Sequence, residues 1–255
     1  MKRVLTAAVL IPVIVYVVLW ANYWVFLGVL VAVALLCYRE FSAIAEGYGF
    51  GAPGPAGYGA GLLLLAVSSE TWLLLAALAM FALALAMRAQ DLALSLPRAA
   101  LLLTGVIYIF GCWKCAMPLR QLNPHWLMYA LLVNWTGDAG AYYVGRAFGR
   151  HKMAPRVSPK KSWEGAAASL ATSVVLAGAY LVRFVPGTPI WHAAALTAAA
   201  NAAGQIGDLA ESAMKRGARV KDSGGLLPGH GGLLDRVDSS LFALPVVYAW
   251  VKFVA

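Results

Sequence analysis

With 255 residues, 62% of them apolar, only 12% charged and a mean hydropathy of +0.74, the chain carries about half the charge of an ordinary soluble domain, roughly 25%. A soluble core of this length cannot hide so much apolar surface, so the excess must face lipid and a soluble fold is excluded. The formal net charge of +9 suits anionic headgroups or a polyphosphate; nucleic acid is a poor partner, because no basic face interleaved with aromatics sits on a soluble module.

Met1-Lys-Arg3 precedes an apolar run to about Leu19 with no small-residue cleavage site, which predicts a retained signal-anchor helix. Apolar stretches near the length of a bilayer crossing follow at about 4–21, 23–38, 57–69, 71–87, 99–118, 126–145, 165–185, 190–208 and 239–255. Only Ser69-Glu70 separates the third from the fourth, so eight spans is the alternative count. With the N-terminus inside, sixteen of the twenty Lys and Arg residues fall on the cytoplasmic side, and only Lys114, Arg120, Arg183 and Lys252 do not. That asymmetry is what the positive-inside rule requires. The predicted fold is all-α, a polytopic integral membrane protein of about nine helices with a cytoplasmic N-terminus. Residues 1–120 read as a lipid-facing scaffold and residues 121–255 as the catalytic region.

The connections carry the chemistry. Gly49, Gly51 and Gly54 form a GxGxxG pattern, but prolines interrupt it and no strand precedes it, so a dinucleotide site is rejected in favour of a loop. Cys112 and Cys115 have CxxC spacing without a second pair, in an apolar stretch, and read as packing residues. In the sixth span, Asp138 sits among small residues in Asn134-Trp-Thr-Gly-Asp-Ala-Gly-Ala-Tyr142; an intramembrane acid is a functional candidate by default. The next loop, Ser158-Pro-Lys-Lys-Ser-Trp-Glu-Gly165, is expected to begin a turn or helix at Ser158 and to project Lys160 and Lys161 as point charges for phosphate.

Asp208 and Glu211, three apart, share one helix face at the end of the eighth span, and Asp235 and Asp238 repeat that spacing where the ninth begins. The two pairs are expected to face each other and share a metal cluster. Oxygen donors without His or Cys favour Mg²⁺ or Mn²⁺. Between the pairs lie Lys215, Arg216, Lys221, Asp222 and a Gly-rich turn, Leu227-Pro-Gly-His-Gly-Gly232, with Arg236 just beyond. His230 is expected to contact substrate. Metal-binding acids, phosphate-binding cations and glycines in one polar loop point to phosphoryl or nucleotidyl transfer at a membrane.

The run Ser212-x-Met-Lys-Arg-x₄-Lys221-Asp222-x-Gly-x₂-Leu-Pro-x-His230-Gly-Gly-Leu-x-Asp235-Arg236-Val-Asp238 resembles the signature of the phosphatidate cytidylyltransferases. Asp138-x-Gly-Ala-Tyr142-x-x-Gly145, Ser158-Pro-Lys-Lys-x-Trp-Glu-Gly165 and Gly207-Asp208-x-x-Glu211-Ser212 are similar to further motifs of that family. Ser162 stands where the family usually has threonine, which keeps the hydroxyl. The resemblance covers about residues 130–255 specifically and the rest only in hydropathy. It implies transfer of CMP from CTP to phosphatidic acid, giving CDP-diacylglycerol and pyrophosphate, with Mg²⁺ and room for a second cation. It also implies a homodimer in a bacterial inner membrane, with the site facing the cytoplasm. Asp208, Asp235, Lys221, Asp222 and Asp138 are the catalytic candidates it supports. Asp208, Glu211, Asp235 and Asp238 are the metal candidates. Ser158, Lys160, Lys161, Lys215, Arg216, His230 and Arg236 are the substrate contacts. An ion-coupled transporter also uses intramembrane acids and Gly-broken helices, but it places them near the midplane, often in an inverted repeat. Here they gather at one face without a repeat.

Overall fold

The computed structural model describes residues 2–67, 71–87, 91–226, 229 and 231–254. Among them are nine helices: α1 (Lys2–Leu19), α2 (Tyr23–Glu46), α3 (Gly54–Ala66), α4 (Thr71–Ala86), α5 (Leu92–Leu122), α6 (Pro124–Phe148), α7 (Trp163–Phe184), α8 (Ile190–Gly217) and α9 (Leu234–Phe253). Helix α5 is composite, with a π-helical stretch over Val106–Gly111. The predicted third span starts earlier than expected and closes at Ala66; the break at Ser69-Glu70 lies outside the described residues.

The all-α expectation needs one correction. Between α6 and α7 the chain forms an antiparallel hairpin of β1 (Lys152–Ala154) and β2 (Ser158–Ser162), with Lys152 opposite Ser162 and an irregularity toward the turn. Ser158 and Pro159 therefore belong to a strand and do not begin a turn or helix. The helix starts later because Ser162 is its N-cap, its hydroxyl accepting from Gly165 N at 3.2 Å. That bond satisfies one of the amides that a first turn leaves free.

Helices α2, α5 and α7 are long and apolar enough to cross a membrane, and parts of α1, α3 and α4 are shorter apolar stretches. Large side chains such as Trp24 (76% exposed) and Met80 (72% exposed) point outward, as lipid permits and water does not. This is the surface of a membrane protein. Two of the cations predicted off the cytoplasmic side are consumed internally. Lys114 donates to the carbonyls of Leu64 (2.7 Å) and Val67 at the end of α3. Arg120 donates to Val18 O (2.9 Å) and to Ala21 O at the end of α1, with its guanidinium 4.5 Å above the Phe26 ring. Each places positive charge on helix-terminal carbonyls, where the dipole favours it. Cys112 and Cys115 are free thiols packed against the core, as their apolar context predicts. Helices α6 to α9 pack together as a bundle, with the hairpin against the near ends of α7 and α8.

Candidate active site

A cavity of about 790 Å³ opens between α6, α7, α8 and the hairpin. Asp138 and Asp208 line it, as do Lys160 and Lys161 from β2, with Arg146 from α6 and Lys152 from β1. Strand β2 brings Lys161 Nζ to 2.5 Å from Asp208 Oδ2. The cavity floor is polar but uncharged. Asn201 Nδ2 donates to Ser169 Oγ and Ser173 Oγ, both at 3.0 Å, and Gln205 Nε2 donates to Asn201 Oδ1 at 2.7 Å. Asn134 donates toward Ser240 Oγ at 3.4 Å. These helices approach closely through small residues. At Gly137 an added Cβ would stand 2.6 Å from both Asn201 Nδ2 and Ser169 Oγ.

The second cluster lies beside the cavity, where α8 and α9 extend beyond their apolar stretches. Lys215 Nζ stands 2.5 Å from Asp235 Oδ1 and also pairs with Glu211. Asp235 further accepts from Gly232 N at 2.8 Å and Ser223 N at 3.0 Å. Burial pushes the Asp235 carboxyl up, but Lys215 and these two amides outweigh it and hold it below the usual range. For Glu211 burial wins: its carboxyl is pushed up to about 7 despite Lys215. It is fully buried, and neither oxygen receives a well-directed hydrogen bond, so the contact with Lys215 is ionic only. Burial, then the charges of Asp208 and Glu211, also raises the Asp238 carboxyl. Gly207 sits tightly beneath Asp238, with an added Cβ only 2.8 Å from Asp238 O, which brings Asp208 and Glu211 into Asp238's range.

The predicted residues thus divide. Asp138, Lys160, Lys161 and Asp208 share the cavity; Glu211, Lys215 and Asp235 form the neighbouring cluster, with Asp238 buried between. Lys215 faces acids where a phosphate was expected, because the carboxylates of Glu211 and Asp235 converge on it. Arg216 ties the hairpin to the loop through Val157 O (3.4 Å) and Val220 O (3.1 Å). Lys221, Asp222 and Arg236 are exposed, Ser158 is half-buried on β2, and none of these four lines the cavity. His230 lies outside the described residues. Among the described residues, no three of His, Cys, Asp and Glu form a group that could hold a metal ion; Asp235 is turned to Lys215 and the loop amides. Only the chemistry of the donors, oxygen without His or Cys, suits a hard divalent cation. Buried carboxylates without full compensation are costly, and oxygen-only donors suit Mg²⁺.

A family model described as Cytidylyltransferase family matches residues 1–254. The chain belongs to the cytidylyltransferase family. It is 43% identical over 146 residues to the phosphatidate cytidylyltransferase of Bacillus subtilis (strain 168), covering 56% of this chain and 54% of that protein. The Staphylococcus aureus (strain COL) phosphatidate cytidylyltransferase is 41% identical over 151 residues, 58% of this chain and 57% of that one. The aligned region spans just over half the length of these curated relatives.

In this chain several cavity residues escape sequence reading: Asn134, Ser169, Asn201, Gln205, Arg146 and Lys152. Asn201 and Gln205 stand four apart, hence on one face, in an Ala-rich helix; that is the signal that finds them. Gly137→Ala is expected to reduce turnover at least tenfold by prising Asn201 and Ser169 apart, with the protein still monodisperse in detergent. Full activity in the purified variant would mean that the floor network does not shape the site.

Proposed function

We propose that this chain transfers the CMP group of CTP to phosphatidic acid, giving CDP-diacylglycerol and pyrophosphate. The observation that carries the reading is a cavity joining four cations (Arg146, Lys152, Lys160 and Lys161) to Asp138 and Asp208 among helices with apolar outer faces. A site joining two anionic phosphates at a lipid surface needs those groups. The family match and the printed names of the relatives support the same substrates.

The lipid phosphate oxygen forms a bond to the α-phosphorus of CTP while the bond to the bridging oxygen of the pyrophosphate breaks in line. Phosphoryl transfer of this kind rests chiefly on positioning and charge compensation, so no protein nucleophile is needed. Lys160 and Lys161 bind and orient the phosphates, and Arg146 and Lys152 add positive charge at the rim. Asp208, Glu211 and Asp238 do not converge on one point as they stand, and would have to turn from Lys161 and Lys215 to hold Mg²⁺, with Asp235 and a second cation assisting among the same acids. When bound, Mg²⁺ offsets the charge of the phosphates and of the departing pyrophosphate. Lys221 and Asp222 from the loop and Arg236 from the first turn of α9 are further candidate contacts, and His230 is one on the family resemblance alone. The reading includes nine spans with the N-terminus and cavity cytoplasmic, residence in the bacterial inner membrane, and a homodimer.

Purified protein in detergent, given phosphatidate and CTP labelled at the α-phosphate, is expected to move label into lipid and release pyrophosphate only with Mg²⁺. No transfer with CTP still bound would redirect the reading to another lipid phosphate. No CTP binding would remove the nucleotidyl-transfer reading altogether.

A further inference from the structure

The most unusual polar group of the N-terminal half is Glu40, near the end of α2 and only 7% exposed. Among the described residues it forms no salt bridge. Its carboxylate is instead fully engaged by the loop and by the start of α9. Ser223 Oγ donates to Oε2 at 2.8 Å, Leu234 N to Oε2 at 2.8 Å and Leu233 N to Oε1 at 2.9 Å. Helix α9 lacks a side-chain cap of its own; a carboxylate from α2 supplies it, where the helix dipole favours negative charge. Ser223 and Leu234 are direct neighbours of the Asp235 contacts: Ser223 N bonds Asp235, and Asp235 N bonds Ser223 Oγ at 3.3 Å.

From this geometry we infer that Glu40 is a positioning residue for the transfer reaction, tying Ser223 and the start of α9 to α2 and thereby fixing the register of Asp235 and Asp238. The inference rests on the proposed transferase reading. Space supports it. An added Cβ at Gly224 would stand 2.7 Å from Glu40 Oε1, and one at Gly232 would collide with Ser223 Oγ and Glu40 Oε2. The loop therefore approaches the carboxylate as closely as glycine allows. A buried carboxylate held only by three neutral donors is costly to keep, and here it ties Ser223 to the first turn of α9, which carries Asp235 and Asp238.

The test uses full-length protein in detergent, with wild-type Mg²⁺-dependent transfer measured first, so that failure of the transferase reading shows before any variant is compared. Glu40→Gln keeps size and polarity but sets an NH₂ group against donors. It is expected to lower kcat at least tenfold and to speed backbone amide exchange at residues 231–235, with CTP binding affinity within threefold of wild type. Glu40→Asp, one methylene short, should not rescue it. Ser223→Ala removes one of the three bonds without touching α2 and should lose about threefold alone, but little further in the Glu40→Gln background, since groups acting as one unit are not additive. A lowered thermal midpoint with kcat and amide exchange unchanged in the folded protein would overturn the inference. Simple multiplication of the Glu40→Gln and Ser223→Ala losses would do the same. Should Glu40→Gln not accumulate folded, Gly232→Ala, which presses on the same contact, must lower kcat tenfold, and wild-type turnover in it overturns the inference.

Discussion

Asp235→Asn is expected to lower turnover by roughly a hundredfold to a few thousandfold while leaving the helices assembled. Asp235 accepts from Lys215 Nζ, Ser223 N and Gly232 N, and its side chain is 6% exposed against 10% for Lys215. An asparagine offers one acceptor oxygen and turns an NH₂ group toward donors. Lys215 is then left with Glu211 alone. Removing one partner of a buried ion pair costs about 3–5 kcal/mol. If that cost falls on the local geometry of the loop, the conversion of roughly 1.4 kcal/mol per tenfold gives the stated range. The variant should elute from size exclusion as wild type does, because the carboxylate organises a loop and one helix start without filling the bundle core. Lys215→Met should produce a similar loss, and the double variant little more. Wild-type turnover in Asp235→Asn would remove Asp235 from the machinery; an aggregated protein in both single variants would make the pair structural.

The long helices were legible because lipid imposes a simple requirement: each span must be apolar over its length, and α2 and α7 meet it visibly. The hairpin was not. Lys152-Met-Ala154 and Ser158-Pro-Lys-Lys-Ser162 are too short and polar to alternate, and Pro159 argues against a strand. It forms because the chain must return from α6 to the Ser162 cap, with Trp163 N closing on His151 O at 2.9 Å. The acids and lysines of the cavity were legible as types, since a charge beside an apolar span calls for a partner. Their pairings were not. Lys161 and Asp208 lie on different elements, and Glu40 meets loop residues 183 to 194 positions away. Glu40 stands beside Arg39 and six residues before Glu46 in the sequence of α2, and neither period nor motif links it to Ser223. The same holds for Asn134 and Asn201, whose meaning appears only when the faces of α6, α7 and α8 are set together.

Asp208→Asn is expected to lower turnover at least 10²-fold and to raise the Mg²⁺ concentration giving half-maximal rate. Lys161→Ala should raise the KM for CTP about tenfold with the Mg²⁺ requirement unmoved. The two variants separate roles that the 2.5 Å contact joins. Asp208 either serves as counter-ion to Lys161 or contributes charge to the acid cluster with Glu211 and Asp238. The pair is 26% and 32% exposed, and ion pairs within reach of solvent are worth about 0–1 kcal/mol. That is at most a fewfold effect, too small to produce a hundredfold loss through the position of Lys161 alone. A loss of that size with a shifted Mg²⁺ dependence therefore requires the carboxylate itself. Equal, modest losses in Asp208→Asn and Lys161→Ala, with neither altering the Mg²⁺ dependence, would reduce Asp208 to a support for the lysine. Cation binding would then fall to Glu211 and Asp238, the two buried carboxylates beside it.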